Sequence, residues 1–170
     1  PKYQSAQAVG STGDPANARA MGQTIGSYLK ESGINLDFAP VADVNTNPAN
    51  PVIGKRAFST DPAVAAQMVA AAVQGFHDAG VLCTLKHFPG HGDTAEDSHY
   101  GTATSTKTWA EMQAVEIQPF AAGIAAGADV VMTAHITTPN ATQDDLPASL
   151  SYTMLTERLR GELGFTGVIC

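Results

Sequence analysis

The densest chemistry in the sequence lies in residues 86–99, Lys-His-Phe-Pro-Gly-His-Gly-Asp-Thr-Ala-Glu-Asp-Ser-His. Three of the five histidines, His87, His91 and His99, fall there. Two chemistries compete for them. One is metal ligation, since His87, His91, Asp93, Asp97 and His99 are all ligand types. Their spacing matches no common zinc helix motif, but a loop with a proline and two glycines bends to many geometries. The other is proton transfer. Asp97 precedes His99 by two residues, so in a turn its carboxylate holds an imidazole nitrogen, sets the tautomer and raises basicity. That makes His99 a general acid/base near neutral pH. The residue types leave both readings open. A solvated loop with polar residues by chance is the bland alternative, and it suits a lone histidine better than this density.

Lys86 and His87 stand at the end of an apolar run, Val81 to Leu85. On a strand they point to opposite sides. A lysine at an apolar strand's tip is expected to reach substrate hydroxyls rather than to pack. Arg56, in Gly-Lys-Arg-Ala-Phe, follows the preceding strand's loop, and a surface salt bridge is its equal alternative. Asp43 and His135 also end strand-like runs. Asp43 suits a turn cap, and His135 suits either a structural role or a pocket wall.

The elements that must position these residues alternate. Asp14 and Pro15 open a helix carrying Ala18, Met21, Ile25 and Leu29, closed by Gly33. Residues 36–43 read as a strand, with Pro40 awkward inside it. Asp61-Pro62 opens a second helix with Val64, Met68, Ala72, Val73 and Phe76 on its face, ended by Gly80. Residues 81–87 form the second strand, followed by a long loop to about residue 106. Thr108-Trp109-Ala110-Glu111 is a capping box for a helix that Pro119 breaks or kinks. Residues 129–135 form the third strand. Ser151 starts a last helix through Leu155, Leu159 and Leu163, and residues 167–170 begin a fourth strand. Apolar strands alternating with helices predict parallel βαβ units, and active sites of such sheets lie at the strands' carboxyl ends. Four strands fit either half a barrel or a small open doubly wound sheet.

The 170 residues are 44% hydrophobic and 15% charged, enough for one domain's core and against disorder. A net charge of −7 with no Lys/Arg cluster argues against nucleic acid. No apolar run is long enough to span a membrane. No signal peptide opens the chain, and Cys83 and Cys170 make no disulfide framework, so cytoplasmic, cell-envelope and secreted locations all stay open. Without an initiator methionine and with a strand stopping at Cys170, both ends read as cut.

Four segments together resemble glycoside hydrolase family 3, in its β-N-acetylglucosaminidase branch. They are residues 37–45 (Asp-Phe-Ala-Pro-Val-Ala-Asp-Val-Asn), residues 50–58 (Asn-Pro-Val-Ile-Gly-Lys-Arg-Ala-Phe), residues 86–94 with Asp97-Ser98-His99, and Met132-Thr133-Ala134-His135. The third is long and specific and points to the hexosaminidase branch. The resemblance runs from about Asn17 to Cys170. It implies a TIM-type (β/α)8 barrel of which about four strands are present, with residues 1–170 a fragment of one catalytic domain. It implies retaining hydrolysis of terminal β-linked N-acetylglucosamine on glycans such as those derived from cell walls. The family's acid/base is a His held by an Asp on a mobile loop, which maps to His99 and Asp97. Its sugar-binding groups map to Arg56, Lys86 and His87. Neither metal nor cofactor takes part, and the partner is a small carbohydrate. The family's nucleophile is an Asp expected just after Cys170, and an acidic, glycine-rich sugar-contacting segment expected before the first helix is also absent. This stretch by itself is therefore expected to be inactive. The alternatives are a phosphorylase of the same branch, a metal-dependent hydrolase built on the His/Asp loop, and a non-catalytic sugar-binding relic.

Overall fold

The computed structural model describes residues 3–95 and 103–170. The elements alternate as α1 (Ala6–Gly10), α2 (Pro15–Glu31), β1 (Leu36–Asp37), α3 (Pro62–Asp78), β2 (Leu82–Phe88), β3 (Ala103–Thr104), α4 (Trp109–Ala114), α5 (Ile117–Ala125), β4 (Val130–Thr133), β5 (Ile136–Thr137), α6 (Pro139–Thr142), α7 (Thr153–Glu162) and β6 (Val168–Ile169). Strands β1, β2, β4 and β6 form one parallel sheet in that order. A doubly wound sheet reverses its strand order at a switch point. This one does not, so it is an arc of a (β/α) barrel wall, open at both edges.

Local chemistry explains the helices that face it. Asp14 Oδ1 accepts from the Ala16 amide at 2.9 Å, and Asp61 Oδ1 from those of Ala63 and Val64 at 2.8 and 3.1 Å. Each caps a helix whose first residue is proline, which has no N–H to leave unpaired. The two helices cross closely because small residues sit between them. A Cβ on Gly75 would stand 2.1 Å from the Arg19 carbonyl oxygen, and one on Gly22 2.5 Å from that of Ala72. The capping box at Thr108 and Glu111 is present. The chain breaks at Val115, however, and Pro119 sits in the first turn of α5, where a missing N–H costs nothing. Phe88 of β2 meets Phe120 of α5 edge to face, with centroids 5.3 Å apart, fixing the strand's end to the helix layer.

Three expectations change, and one further element is present. The first strand is only Leu36–Asp37, with Val41 returning as an isolated bridge to Lys86, because Pro40 offers no ladder donor. The stretch before Asp14 holds a helix, α1, capped by Ser5. The run 129–135 splits after Thr133, and its continuation β5 pairs with β3 in a separate two-stranded sheet. The last helix is wound with i→i+5 bonds, such as Leu163 N–H to the Arg158 carbonyl at 2.9 Å. Its buried residues are accordingly Met154 and Leu159, five apart, in place of a Leu155/Leu159/Leu163 stripe.

Candidate active site

The carboxyl ends of β2, β4 and β6 open into a cavity of about 310 Å³ lined by Val52, His87, His91, Met132, His135 and Cys170. That volume lies within the range of small-ligand sites, roughly 300–1,000 Å³. Larger depressions exist elsewhere, such as one beside Tyr3 and Asn17, but none of them gathers histidines at the strand ends.

Asp43 organises the site. Its side chain is fully buried, and its Oδ2 lies 2.7 Å from Nδ1 of His87. Its Oδ1 accepts the His91 amide at 2.7 Å, and both oxygens lie 3.3 Å from the His87 amide. A buried carboxylate is tolerable only when so paired. Held through Nδ1, the His87 ring keeps Nε2 as its remaining polar atom, and the ring lines the cavity. His91 packs edge to face on it, with centroids 6.3 Å apart, and its own Nδ1 lies 2.6 Å from the Thr94 hydroxyl. Asp43 is the residue that reading the sequence missed. A turn cap and a buried imidazole anchor look identical in one dimension, and an Asp ending an apolar strand was the available signal.

His87 lines the cavity, and Lys86 is not among its lining residues. The register with β4 slips between Lys86 and Phe88. The half-buried Lys86 is held below its ordinary pKa, first by burial and next by the Arg56 cation, against the opposing pull of Asp37 and Asp43. Asp37 is in turn pushed up by burial, partly offset by Lys86. Arg56 closes the turn Gly54–Arg56 with Nη2 donating to the Val52 carbonyl at 2.8 Å. Arg56 is exposed, and among the described residues no carboxylate forms a salt bridge with it. His135 lines the cavity with Nδ1 2.6 Å from the Ser149 hydroxyl.

The His-rich loop is stitched to the asparagine-rich loop after β1. The Asn50 amide donates to the His91 and Thr94 carbonyls, both at 2.8 Å, while its Oδ1 accepts from Val52 and Ile53. The Thr46 hydroxyl donates to Asp93 at 2.6 Å. On the other side, Lys107 pairs with Asp93 at 3.0 Å and with the buried Glu116 at 2.6 Å. Of the residues expected to bind substrate, His87 lines the cavity, while Lys86 and Arg56 lie outside its lining and interact electrostatically with each other. Asp97 and His99 lie outside the described residues.

The cavity offers imidazoles toward a polar ligand beside the apolar Met132 and Val52. Comparison with known proteins identifies the family. Residues 3–170 match the model of the glycosyl hydrolase family 3 N terminal domain. A beta-hexosaminidase of Stenotrophomonas maltophilia (strain K279a) is 46% identical over 160 residues, which are 92% of this chain and 47% of that protein. A family 3 beta-N-acetylglucosaminidase from Paenibacillus sp. str. FPU-7 superposes with a TM-score of 0.94 at 46% identity, covering 96% of this chain and 31% of the other. A beta-glucoside phosphorylase superposes equally well, with a TM-score of 0.94 at 32% identity over 98% of this chain and 32% of its own. The chain spans about half the length of the curated relatives it matches. With a family match over nearly all of its residues, and with its strands and pocket arranged as described, the chain belongs to glycosyl hydrolase family 3, within that family's N-terminal domain.

Proposed function

We propose that this chain carries the acid/base side of a retaining exo-β-N-acetylglucosaminidase. The observation that carries the reading is the pocket at the strand ends, where Asp43-anchored His87 stands with His91 and His135; Lys86, its chain neighbour, interacts electrostatically with Arg56 and Asp43. Two cations beside imidazoles suit the hydroxyl and carbonyl oxygens of an N-acetylated sugar, which accept directional hydrogen bonds. The 46% identity to a beta-hexosaminidase supports the same substrate class. In this reading Asp97 orients His99, and His99 protonates the leaving oxygen while a carboxylate attacks the anomeric carbon; it then deprotonates the incoming water. Imidazole, with an ordinary pKa near 6.5, donates and accepts at neutral pH without the raised pKa that a carboxyl acid needs. The nucleophile is assigned to an Asp following Cys170 in the whole protein.

The likeness to a beta-glucoside phosphorylase supports a second reading, in which phosphate replaces water. A neutral His99 admits that anion where a carboxylate base would repel it.

The test is His99→Ala in the whole enzyme, assayed with an aryl and an alkyl N-acetylglucosaminide. Loss of a general acid should cost the alkyl substrate about 10²- to 10⁴-fold in turnover and spare glycosylation by the activated aryl substrate. Equal, small losses on both would remove His99 from this role. Added phosphate yielding the sugar 1-phosphate would select the phosphorylase. Activity abolished by a chelator and restored by zinc would replace both readings with the metal-dependent hydrolase.

A further inference from the structure

At the opposite end of the sheet a second cluster stands outside the sugar pocket. His77 lies in the last turn of α3, Cys83 near the start of β2, and Asp129 directly before β4. His77 Nε2 is 2.8 Å from Asp129 Oδ2 and 3.9 Å from Cys83 Sγ. One ligand atom from each residue lies within 4.8 Å of the other two. We propose that His77, Cys83 and Asp129 form a binding site for a thiophilic divalent cation of the zinc class.

The argument is geometric. A tetrahedral zinc with bonds of about 2.0 to 2.3 Å keeps its ligand atoms about 3.3 to 3.8 Å apart. The His77–Asp129 distance has to open by about half an ångström, and the thiol has to close on the His77 nitrogen by less. The donor set of one imidazole, one thiolate and one carboxylate is of zinc type, and three protein ligands leave a fourth position for water. The Cys83 amide donates to Asp129 Oδ2 at 3.0 Å, orienting the carboxylate as outer hydrogen bonds do at metal sites. The side chains of His77 and Asp129 are 35% and 27% exposed, so an ion reaches the cluster from solvent, while the buried Cys83 closes its inner side.

Binding balances simply. The Cys83 thiol gives its proton to solvent as the sulfur–metal bond forms, and His77 ligates through Nε2 with its proton on Nδ1. The cluster lies four residues along β2 from His87, roughly 13 Å from the pocket. An ion there braces α3, β2 and β4 against one another and takes no part in sugar chemistry, so the inference stands apart from the hydrolase reading.

The test uses the whole protein stripped of metal and titrated with Co²⁺. The site predicts one equivalent per chain, a near-ultraviolet thiolate-to-cobalt charge-transfer band, and displacement by Zn²⁺. Cys170→Ser should keep the band, and Cys83→Ser should abolish it. His77→Gln, at a partly exposed position, should weaken binding at least tenfold with an unchanged far-ultraviolet circular dichroism spectrum. Absence of the band, its survival in Cys83→Ser, or undiminished affinity in His77→Gln each overturns the site. Should Cys83→Ser not fold, His77→Gln and Asp129→Asn decide.

Discussion

Asp43, at the end of the chain's return from β1, holds His87 at the end of β2 through a 2.7 Å contact between Oδ2 and Nδ1, with the carboxylate wholly buried. The same carboxylate takes the His91 amide. One side chain therefore sets both the ring's orientation and the path of the loop that follows. Asp43→Asn keeps the shape but replaces an acceptor by a donor. We expect a loss of about 1–3 kcal/mol in urea denaturation, the usual cost of an unpaired buried group. Turnover on an N-acetylglucosaminide should fall more than tenfold. Stability unchanged within error would show that Asp43 does not carry this role.

Lys86 and Arg56 lie close enough that the Arg56 cation adds to the electrostatic cost of charging Lys86. In the proposed function a bound sugar's oxygens relieve that cost. Arg56→Ala and Lys86→Ala should each raise KM, with the pair less than additive because removing one cation eases the other. Steady-state kinetics on both single variants and the double variant measure this. A strictly additive pair with unchanged KM in either single variant would place these cations outside the binding site.

Lys107 bridges Asp93 and the buried Glu116. Partial burial raises the Asp93 carboxyl, but the Thr46 hydroxyl and Lys107 outweigh it and leave the pKa lowered. Burial lowers Lys107, yet Glu116 and Asp93 outweigh it and leave the pKa raised. The lowered Asp93 contributes stability above its unfolded pKa near 4, lost as pH falls through the lower folded value. The raised Lys107 contributes below its unfolded pKa, lost as pH rises through the higher folded value. Lys107→Met should cost about 3 kcal/mol at pH 7 by stranding Glu116. It should also flatten the acid limb of the stability curve below about pH 4. Partial recovery in Lys107→Met with Glu116→Gln would tie the loss to the stranded carboxylate.

Gly92 lies against the loop after β1, where a Cβ would stand 2.0 Å from the Val44 carbonyl oxygen. That neighbour is backbone and has no rotamer to yield. Gly92→Ala should push the two stitched loops apart, costing about 1–3 kcal/mol. Activity should fall further than stability explains, because His91 and the Asn50 contacts sit on the displaced segment. A melting temperature and activity equal to those of the parent protein would show that the loops separate freely.

The sequence by itself determined the alternation of helices and parallel strands, the proline-led helix starts and the loop that holds the polar residues. These are local matters: caps, periods and turn residues act within a few positions. The family resemblance was legible for the same reason, as contiguous motifs around Arg56, Lys86 and His87. Tertiary structure alone decided which residues meet. Asp43 and His87 are 44 positions apart, and only the parallel pairing of adjacent strand ends turns a turn-capping aspartate into a histidine's anchor. Likewise the split of β4 from β5 and the five-residue spacing of Met154 and Leu159 arise from what each segment packs against. The barrel arc needed the strand order, a property of long-range hydrogen bonding that no local pattern contains.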